Sequence, residues 1–449
     1  MNTSAQVKVF SSRIDIKGVL EVKTPLHLGS GLSEEDESIP KPKPDEKHPE
    51  SARVMLDGAG RPYIPGSSVK GALRAMAADA GFCDADILAL FGTTKDKDQG
   101  HMGRLIVYGG EWLKDGPPSD RPKHKDFSAR RQSRALRART SISARRGTAE
   151  KHLLYHTEVI TPGTHFEIHA RYLPEFSDPA SESKARELLG WIVEALLRDG
   201  VQLGRGAGDG DGRLVATSLT SSVQLPPGKP DQKPERLSYR LMLKCDGPFF
   251  INDWSWDSAE EKKKLIKDKG EEVDKKEAEK LPQLKAQRTG DNVPLLEGSS
   301  LMGALRSRAE WLEKLQSMRD NTECRGFCDE LFGSTEKRGL LRLASLDLGE
   351  PLGKPYVNRM HMTSLKIDRF SGAPIEGALF ATDCFVDPEF EAVLELKPLG
   401  KVPGEIGGEL RKFIDLLIQD MRKNGLRLGH GGNRGFGWFD VTCQQTNGS

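Results

Sequence analysis

Aromatic residues make up only 6% of this 449-residue chain. No apolar run in it approaches the roughly 18 residues that a membrane-spanning helix requires. The first residues, Met1-Asn2-Thr3-Ser4, lack a basic stretch followed by an apolar core, so no signal peptide and no membrane attachment are expected. Cysteine is scarce: six in a chain this long do not make a disulfide scaffold, and the expectation is a reducing cytoplasm. The only close pair is Cys324-x-x-x-Cys328. With His361 or another cysteine it could hold a structural zinc; buried free thiols are the alternative. An excess of one charge is missing too. Sixty-seven Lys and Arg face 66 Asp and Glu, a net charge of +1, so only the distribution of charge can speak for or against nucleic acid.

What the chain does have is one sentence written twice. Pro62-Tyr63-Ile64-Pro65-Gly66-Ser67-Ser68-Val69-Lys70-Gly71-Ala72-Leu73-Arg74 returns as Pro294-Leu295-Leu296-Glu297-Gly298-Ser299-Ser300-Leu301-Met302-Gly303-Ala304-Leu305-Arg306. Ten of the thirteen positions are identical or close in type. Pro and Gly predict a turn. Ser67-Ser68 and Ser299-Ser300 are read as N-caps of the helices that follow, and Val69, Leu73 and Met76 recur at helical spacing. A helix N-terminus suits a phosphate, and Lys70 and Arg74, one turn apart, strengthen that reading; a well-capped structural helix is the alternative. Neither copy is a P-loop, because neither has Lys directly after the second glycine, and nucleotide hydrolysis is set aside.

Other landmarks recur in the same order. Leu90-Phe91-Gly92-Thr93-Thr94 answers to Leu331-Phe332-Gly333-Ser334-Thr335. A helix over 187–197 is followed by the glycine-rich 200–208, and a helix over 410–421 by the glycine-rich 425–437. Each half therefore reads as strand, helix, strands, helix, strand, which suits an α+β fold of two tandem ferredoxin-like (RRM-like) units. The expected boundaries are a first domain at 1–222, a Pro- and Gly-rich linker at 223–236 and a second domain at 237–449, with a Lys/Glu-rich insert at 260–280. The most basic stretch is 121–146, which includes Arg130, Arg131, Arg134, Arg137, Arg139, Arg145 and Arg146 against the single acid Asp126.

Together, Thr24-Pro25-Leu26-His27-Leu28-Gly29-Ser30-Gly31, the Pro-Gly-Ser-Ser helix start, Leu-Phe-Gly and the glycine-rich loops resemble the RAMP superfamily of CRISPR systems. The likeness is nearest to the backbone subunits of type III effector complexes. Ile367-Asp368-Arg369-Phe370-Ser371-Gly372-Ala373 is similar to that group's Asp-Arg-x-x-Gly segment. Two fused units resemble the fused subunits of type III-D complexes. The resemblance implies a thumb hairpin on each core and partners that include crRNA, target RNA and further effector subunits stacked on both ends. It also implies, in active members, an Asp in the loop after the first strand that promotes divalent-metal cleavage of target RNA, with Mg2+ the expected ion. Guide binding needs cations and N–H donors for phosphates. The expected contacts are Ser67, Ser68, Lys70, Arg74, Arg130, Arg131, Arg145, Arg146, Arg205, Ser299, Ser300, Arg306, Arg369 and Arg434, with Arg308 nearby.

For cleavage, Asp36 is the first candidate, then Asp45, with Glu50 and, in the second unit, Asp253 as further ones; Asp257 is a weaker one. Lys280 stands where the second unit would carry its Asp. His27 is expected to be structural; His152, His156 and His430 are left open, and the first two, near the basic segment, could act as acid–base groups. The rival readings are a non-catalytic RNA-binding scaffold and a metal-independent crRNA-processing endoribonuclease.

Overall fold

The computed structural model describes residues 13–35, 50–93, 102–113, 133–142, 149–174, 178–231, 236–253, 282–287, 293–334, 336–348, 358–397 and 404–448. Asp36, Asp45, Asp257, the 260–280 insert, Arg130, Arg131, Arg145 and Arg146 lie outside them. The chain divides into two compact units, Met1–Thr140 with Lys151–Ala207 and Asp211–Glu235, and Ser141–Glu150 with Gly208–Gly210 and Arg236–Ser449.

The first unit follows from the period-two pattern of strand β1 (Ile14–Val22). Ile14, Ile16, Leu20 and Val22 are buried while Lys17 is exposed, as a half-buried strand demands. After it come β2 (Gly29–Glu35), β3 (Glu50–Val54), β4 (Tyr63–Ile64), α1 (Gly66–Ala80), α2 (Asp84–Phe91) and β5 (Leu105–Leu113). Then follow β6 (Arg134–Ile142), β7 (Ala149–Ile160), β8 (His165–Tyr172), α3 (Pro179–Arg198), β9 (Val201–Gln202) and β10 (Arg213–Ser221). The main sheet runs β4-β5-β8-β1-β10-β9, and α1 and α3 bury Val69, Leu73, Leu188 and Ile192 in one core with Leu20, Phe166 and Leu214. A second sheet, β2-β3-β7-β6, carries a long hairpin, with β3 beside β7 in parallel.

The second unit repeats this plan with β11 (Arg236–Cys245), β12 (Pro248–Phe249), β13 (Leu284–Lys285), α4 (Gly298–Asp320), α5 (Phe327–Phe332) and β14 (Leu341–Leu348). It ends with β15 (Arg359–Ile367), β16 (Pro374–Val386), β17 (Glu389–Leu396), α6 (Gly404–Asn424), β18 (Leu426–Arg427) and β19 (Trp438–Gly448). Its main sheet, β14-β17-β11-β19-β18, matches β5-β8-β1-β10-β9 strand for strand. Its hairpin β15–β16 also takes a short parallel strand, β13, from the loop after the first strand.

The serine reading needs correction. Ser67-Ser68 and Ser299-Ser300 are not N-caps: Pro65 and Glu297 hold those positions, with no side-chain cap bond, and the serines sit in the first turn. The cap residue's carbonyl instead accepts the first helical N–H groups, Ser68 N at 3.0 Å in one copy and Ser300 N at 3.0 Å in the other. Gly66 is required by tertiary approach, since a Cβ there would lie 2.1 Å from the Val107 carbonyl oxygen of β5.

The structure also shows why two motifs recur as a pair. Arg74 donates to the Gly92 carbonyl at 2.8 Å, and Arg306 donates to the Gly333 carbonyl at 2.9 Å. The arginine that closes Gly-Ala-Leu-Arg thus fastens the end of Leu-Phe-Gly in both units. The expected linker is partly a strap on the first unit. A Cβ at Gly228 would meet the Glu187 carbonyl of α3 at 2.1 Å, and Asp231 accepts the Cys83 N–H at the start of α2 at 3.0 Å.

The cores are tied differently. In the first unit, buried Glu182 accepts from Tyr172 at 2.8 Å, Arg186 at 2.7 Å and Arg104 at 3.3 Å. Burial, then Glu182, pushes the Tyr172 phenol up to about 12. The second unit has Leu396 at the position of Tyr172 in the register. Its own buried tyrosine, Tyr239, has a hydroxyl with no hydrogen-bond partner among the described residues. Glu182→Ala is therefore expected to cost about 3 kcal/mol or more by removing the buried carboxylate that Arg104, Tyr172 and Arg186 share. Tyr239→Phe should leave stability unchanged or raise it by about 1 kcal/mol. Denaturant unfolding of each variant checks both.

Candidate nucleic-acid interface

Both glycine-rich loops are fastened to the segment after the first strand by the same backbone bonds. In the first unit Arg205 N donates to His27 O at 3.0 Å, Gly212 N to Pro25 O at 2.8 Å and Leu203 N to Gly212 O at 2.8 Å. In the second, His430 N donates to Phe250 O at 2.9 Å, Gly437 N to Pro248 O at 2.8 Å and Leu428 N to Gly437 O at 2.9 Å. The nine residues 204–212 thus superpose in role on 429–437. Glycine is obligatory at the crossing points. Gly204 has φ +78° and a Cβ there would lie 2.3 Å from the His27 carbonyl oxygen; one at Gly212 would lie 1.9 Å from that of Leu203. The loop backbone can come this close only without side chains.

The fastening displays two of the predicted residues, one in each unit. Arg205, exposed on the first loop, lies with its guanidinium 5.7 Å from the ring centre of Tyr155 on β7. Arg434, exposed on the second, lies 5.5 Å from the ring centre of Phe436. His27 is buried and its Nδ1 is 2.7 Å from the Glu158 carbonyl, so that nitrogen carries the proton and the residue is structural, as expected. His156 is buried within β7 beside Ser51, away from any acid–base position at the surface. His430 is exposed, with its ring centre 5.1 Å from that of Phe250, and desolvation followed by Arg434 holds its imidazole below the ordinary value.

Other predicted contacts are engaged inside the fold. Arg74 and Arg306 hold the Gly92 and Gly333 carbonyls, and Arg308 forms a two-pronged pair with Asp420, one bond at 2.7 Å, while stacking 4.3 Å from Trp311. Lys70 is partly buried, and desolvation followed by Arg74 lowers its pKa. Ser299 donates to the Glu297 carboxylate at 3.3 Å. Glu50 opens β3 in register with Glu35, an exposed strand position rather than a loop. Asp253 donates its N–H to Lys285 O at 2.8 Å. Neither carboxylate belongs to a group of three ligand-type side chains; among the described residues the one such group is Cys83, Asp86 and Asp231. Cys324 is exposed and Cys328 buried, and burial with Glu313 pushes the Cys328 thiol up.

Sequence reasoning missed two features. The first is Asp211, a buried carboxylate in the first loop, which accepts from Arg137 at 2.9 and 3.0 Å and also binds Arg139, both on β6. Its only signal is a Gly-Asp-Gly-Asp-Gly run, in which nothing marks Asp211 off from Asp209. The second is Phe370, fully exposed at the tip of hairpin β15–β16 beside exposed Arg369. The tip is built by Asp368, which accepts from Phe370 N at 3.0 Å, Ser371 N at 2.8 Å and Ser371 Oγ at 3.0 Å; these bonds, that of Ser371 N foremost, lower its pKa.

Gly204→Ala is expected to destabilise the first unit by more than about 2 kcal/mol, through the close carbonyl and the positive φ. Gly208→Ala, four residues on with open space around the Cβ position, should be nearly neutral. Denaturant midpoints measured on the two variants separate a required backbone crossing from a merely glycine-rich loop.

No curated protein matches the chain. The profile of the RAMP superfamily matches it twice, over residues 19–215 and 242–440. Those two spans take in part of every strand of the two repeated sheets, both hairpins and both glycine-rich loops, and the chain belongs to the RAMP superfamily.

Proposed function

We propose that this chain is a fused double backbone subunit of a type III, III-D-like CRISPR effector complex, built of two ferredoxin-like units, which holds guide crRNA and the guide–target duplex. Superfamily membership suggests a CRISPR-associated RNA-binding subunit. The strand order β5-β8-β1-β10, repeated as β14-β17-β11-β19, with two helices on each, supports the ferredoxin-like reading.

The observation that carries the functional reading is the tip of β15–β16. A phenylalanine fully in water costs free energy in the isolated protein, so it calls for a partner that covers it. Side chains of this type wedge between stacked bases, and Arg369 beside it answers the phosphate charge. Further apolar side chains on the same hairpin, Leu365, Ile367 and Leu379, are also exposed. The tip is thus a thumb that interrupts a guide–target duplex.

Cleavage is proposed for the stretch between the first strand and the first helix, by one of Asp36, Asp45 or Glu50 in the first unit or by Asp253 in the second, with a divalent ion such as Mg2+. A single protein carboxylate fits that ion, which takes most of its ligands from water and substrate phosphates. The scaffold reading is favoured at Glu50 by its place in a strand facing Glu35. Reconstitution with guide RNA, labelled complementary target and magnesium tests both parts. Asp36→Ala is expected to remove one product with binding intact. Survival of every cut in Asp36→Ala and Asp253→Ala moves the carboxylate to Asp45 or Glu50 or makes the chain a scaffold. Phe370→Ala should weaken duplex binding about tenfold, the value of one stacked base; unchanged binding removes the thumb assignment.

A further inference from the structure

The face of the main sheet turned away from the helices is furnished differently in the two units. Strand β5 carries a bulge: Val107 faces Ala170 of β8 and Gly109 faces His169, which leaves Tyr108 as the extra residue. Strand β14 carries the same bulge, with Leu343 facing Leu394 and Ser345 facing Val393. The shared irregularity sets Tyr108 against Ala344, His169 against Val393 and, one strand further, Lys17 against Arg240. A bulge re-aims the side chain of its extra residue. In the first unit that side chain is a tyrosine, 49% exposed. In the second it is an alanine, and the cations of that face are paired with acids: Arg240 with Glu391 at 2.8 Å, Lys244 with Glu389 at 3.2 Å and Arg342 with Glu395 at 3.0 Å.

The tyrosine is built into a stack. Its ring centre lies 4.8 Å from that of His169 at an interplanar angle of 20°, and the Arg171 guanidinium lies 5.7 Å from it. Asp15 on β1 holds both neighbours, accepting from Arg171 Nε at 2.9 Å and from His169 Nε2 at 3.1 Å. The imidazole covers one face of the phenol ring, so the exposed half offers the other. Lys17, exposed, faces His169 in the register. This end of the sheet face holds Lys17 and Arg171, while Glu111 and Glu167 stand exposed towards its other end. An exposed ring at the cationic end of a flat sheet suits an unstacked base and its phosphate, because every base has a π-face. A duplex hides those faces in its own stack, so the matching ligand is single-stranded.

We propose that the open face of the first sheet carries a stacking platform for one unpaired RNA nucleotide, its base on Tyr108, backed by His169 and Arg171, and its phosphate drawn to Lys17. The second sheet, with Ala344 and Val393 at the corresponding places, has no such platform. The platform stands at the Asp15 end of β1, whereas the glycine-rich loop is fastened beyond the other end, at Pro25 and His27. It rests on the reading of the chain as an RNA-binding subunit and adds a contact for single-stranded RNA away from the loops and hairpin tips.

The full chain is titrated with a fluorescein-labelled oligouridylate by anisotropy across a salt series, and crosslinked to the same oligomer carrying 5-iodouridine. Tyr108→Ala is expected to weaken binding about tenfold, the value of one stacked base, with the slope of log K against log salt unchanged. Tyr108→Leu keeps apolar bulk without the ring and should lose as much. Lys17→Ala should lower the slope by about 0.7, one phosphate on a single strand. Gln444→Ala, on the corresponding face of the second sheet, should match wild type in both quantities. Light should join the iodinated base to the peptide that contains Tyr108. Wild-type affinity in both Tyr108 variants, with melting curves showing them folded, overturns the platform, as does a crosslink confined to other segments. A loss in Tyr108→Ala that Tyr108→Leu restores points to apolar packing instead of stacking and overturns it too. Absence of wild-type binding at any salt overturns the RNA-binding reading itself.

Discussion

Everything that distinguishes this chain hangs on a backbone crossing. The loop before the last strand of each unit donates two N–H groups to the segment leaving the first strand, through Arg205 and Gly212 in one unit and His430 and Gly437 in the other. Those carbonyls sit at a sheet end, where an unpaired polar backbone would be costly. The bonds require a chain approach that no side chain permits, which is why glycines gather there. With the crossing in place, the long hairpin of each unit has a fixed seat.

The two units share that backbone and differ in what fills it. The first relies on buried charge: Glu182 with Arg104, Tyr172 and Arg186 at one end of the sheet, and Asp211 with Arg137 and Arg139 under the hairpin. The second uses Leu396 at the first of these places and Phe436 with Phe250 and Phe385 at the other. Apolar contacts and satisfied ion clusters both exclude water, so either can hold the same fold. A fold duplicated in one chain can in this way fill equivalent positions with different chemistry.

The exposed features follow the same logic. Hairpin β15–β16 carries its apolar side chains outward because its base is already packed on Phe385 and Phe436. Asp368 closes the tip with three hydrogen bonds, which leaves Arg369 and Phe370 displayed. Arg74, Arg306 and Arg308, by contrast, stand near helix starts yet are turned to internal carbonyls or to Asp420. A cation's place in the sequence is a poor guide to whether it faces a ligand.

The repeat, the α+β class, the order of the elements and the places of the glycine-rich turns are all legible in the amino-acid sequence. They depend on local patterns: period-two burial in Ile14–Val22, helical spacing in Val69 and Leu73, and glycine where φ is positive. What the sequence could not give was pairing at a distance. Ser67 and Ser68 look like caps, but Pro65 enters the helix directly and its own carbonyl starts the ladder. Arg74 finds Gly92 across 18 residues, and Arg137 finds Asp211 across 74. Such partners are chosen by sheet order and by the crossing of loops. Local composition fixes which segments become strands, helices and turns, because burial periodicity and glycine conformation are properties of neighbours in the chain. Tertiary structure alone decides which charges meet, because a side chain pairs with whatever the topology sets beside it.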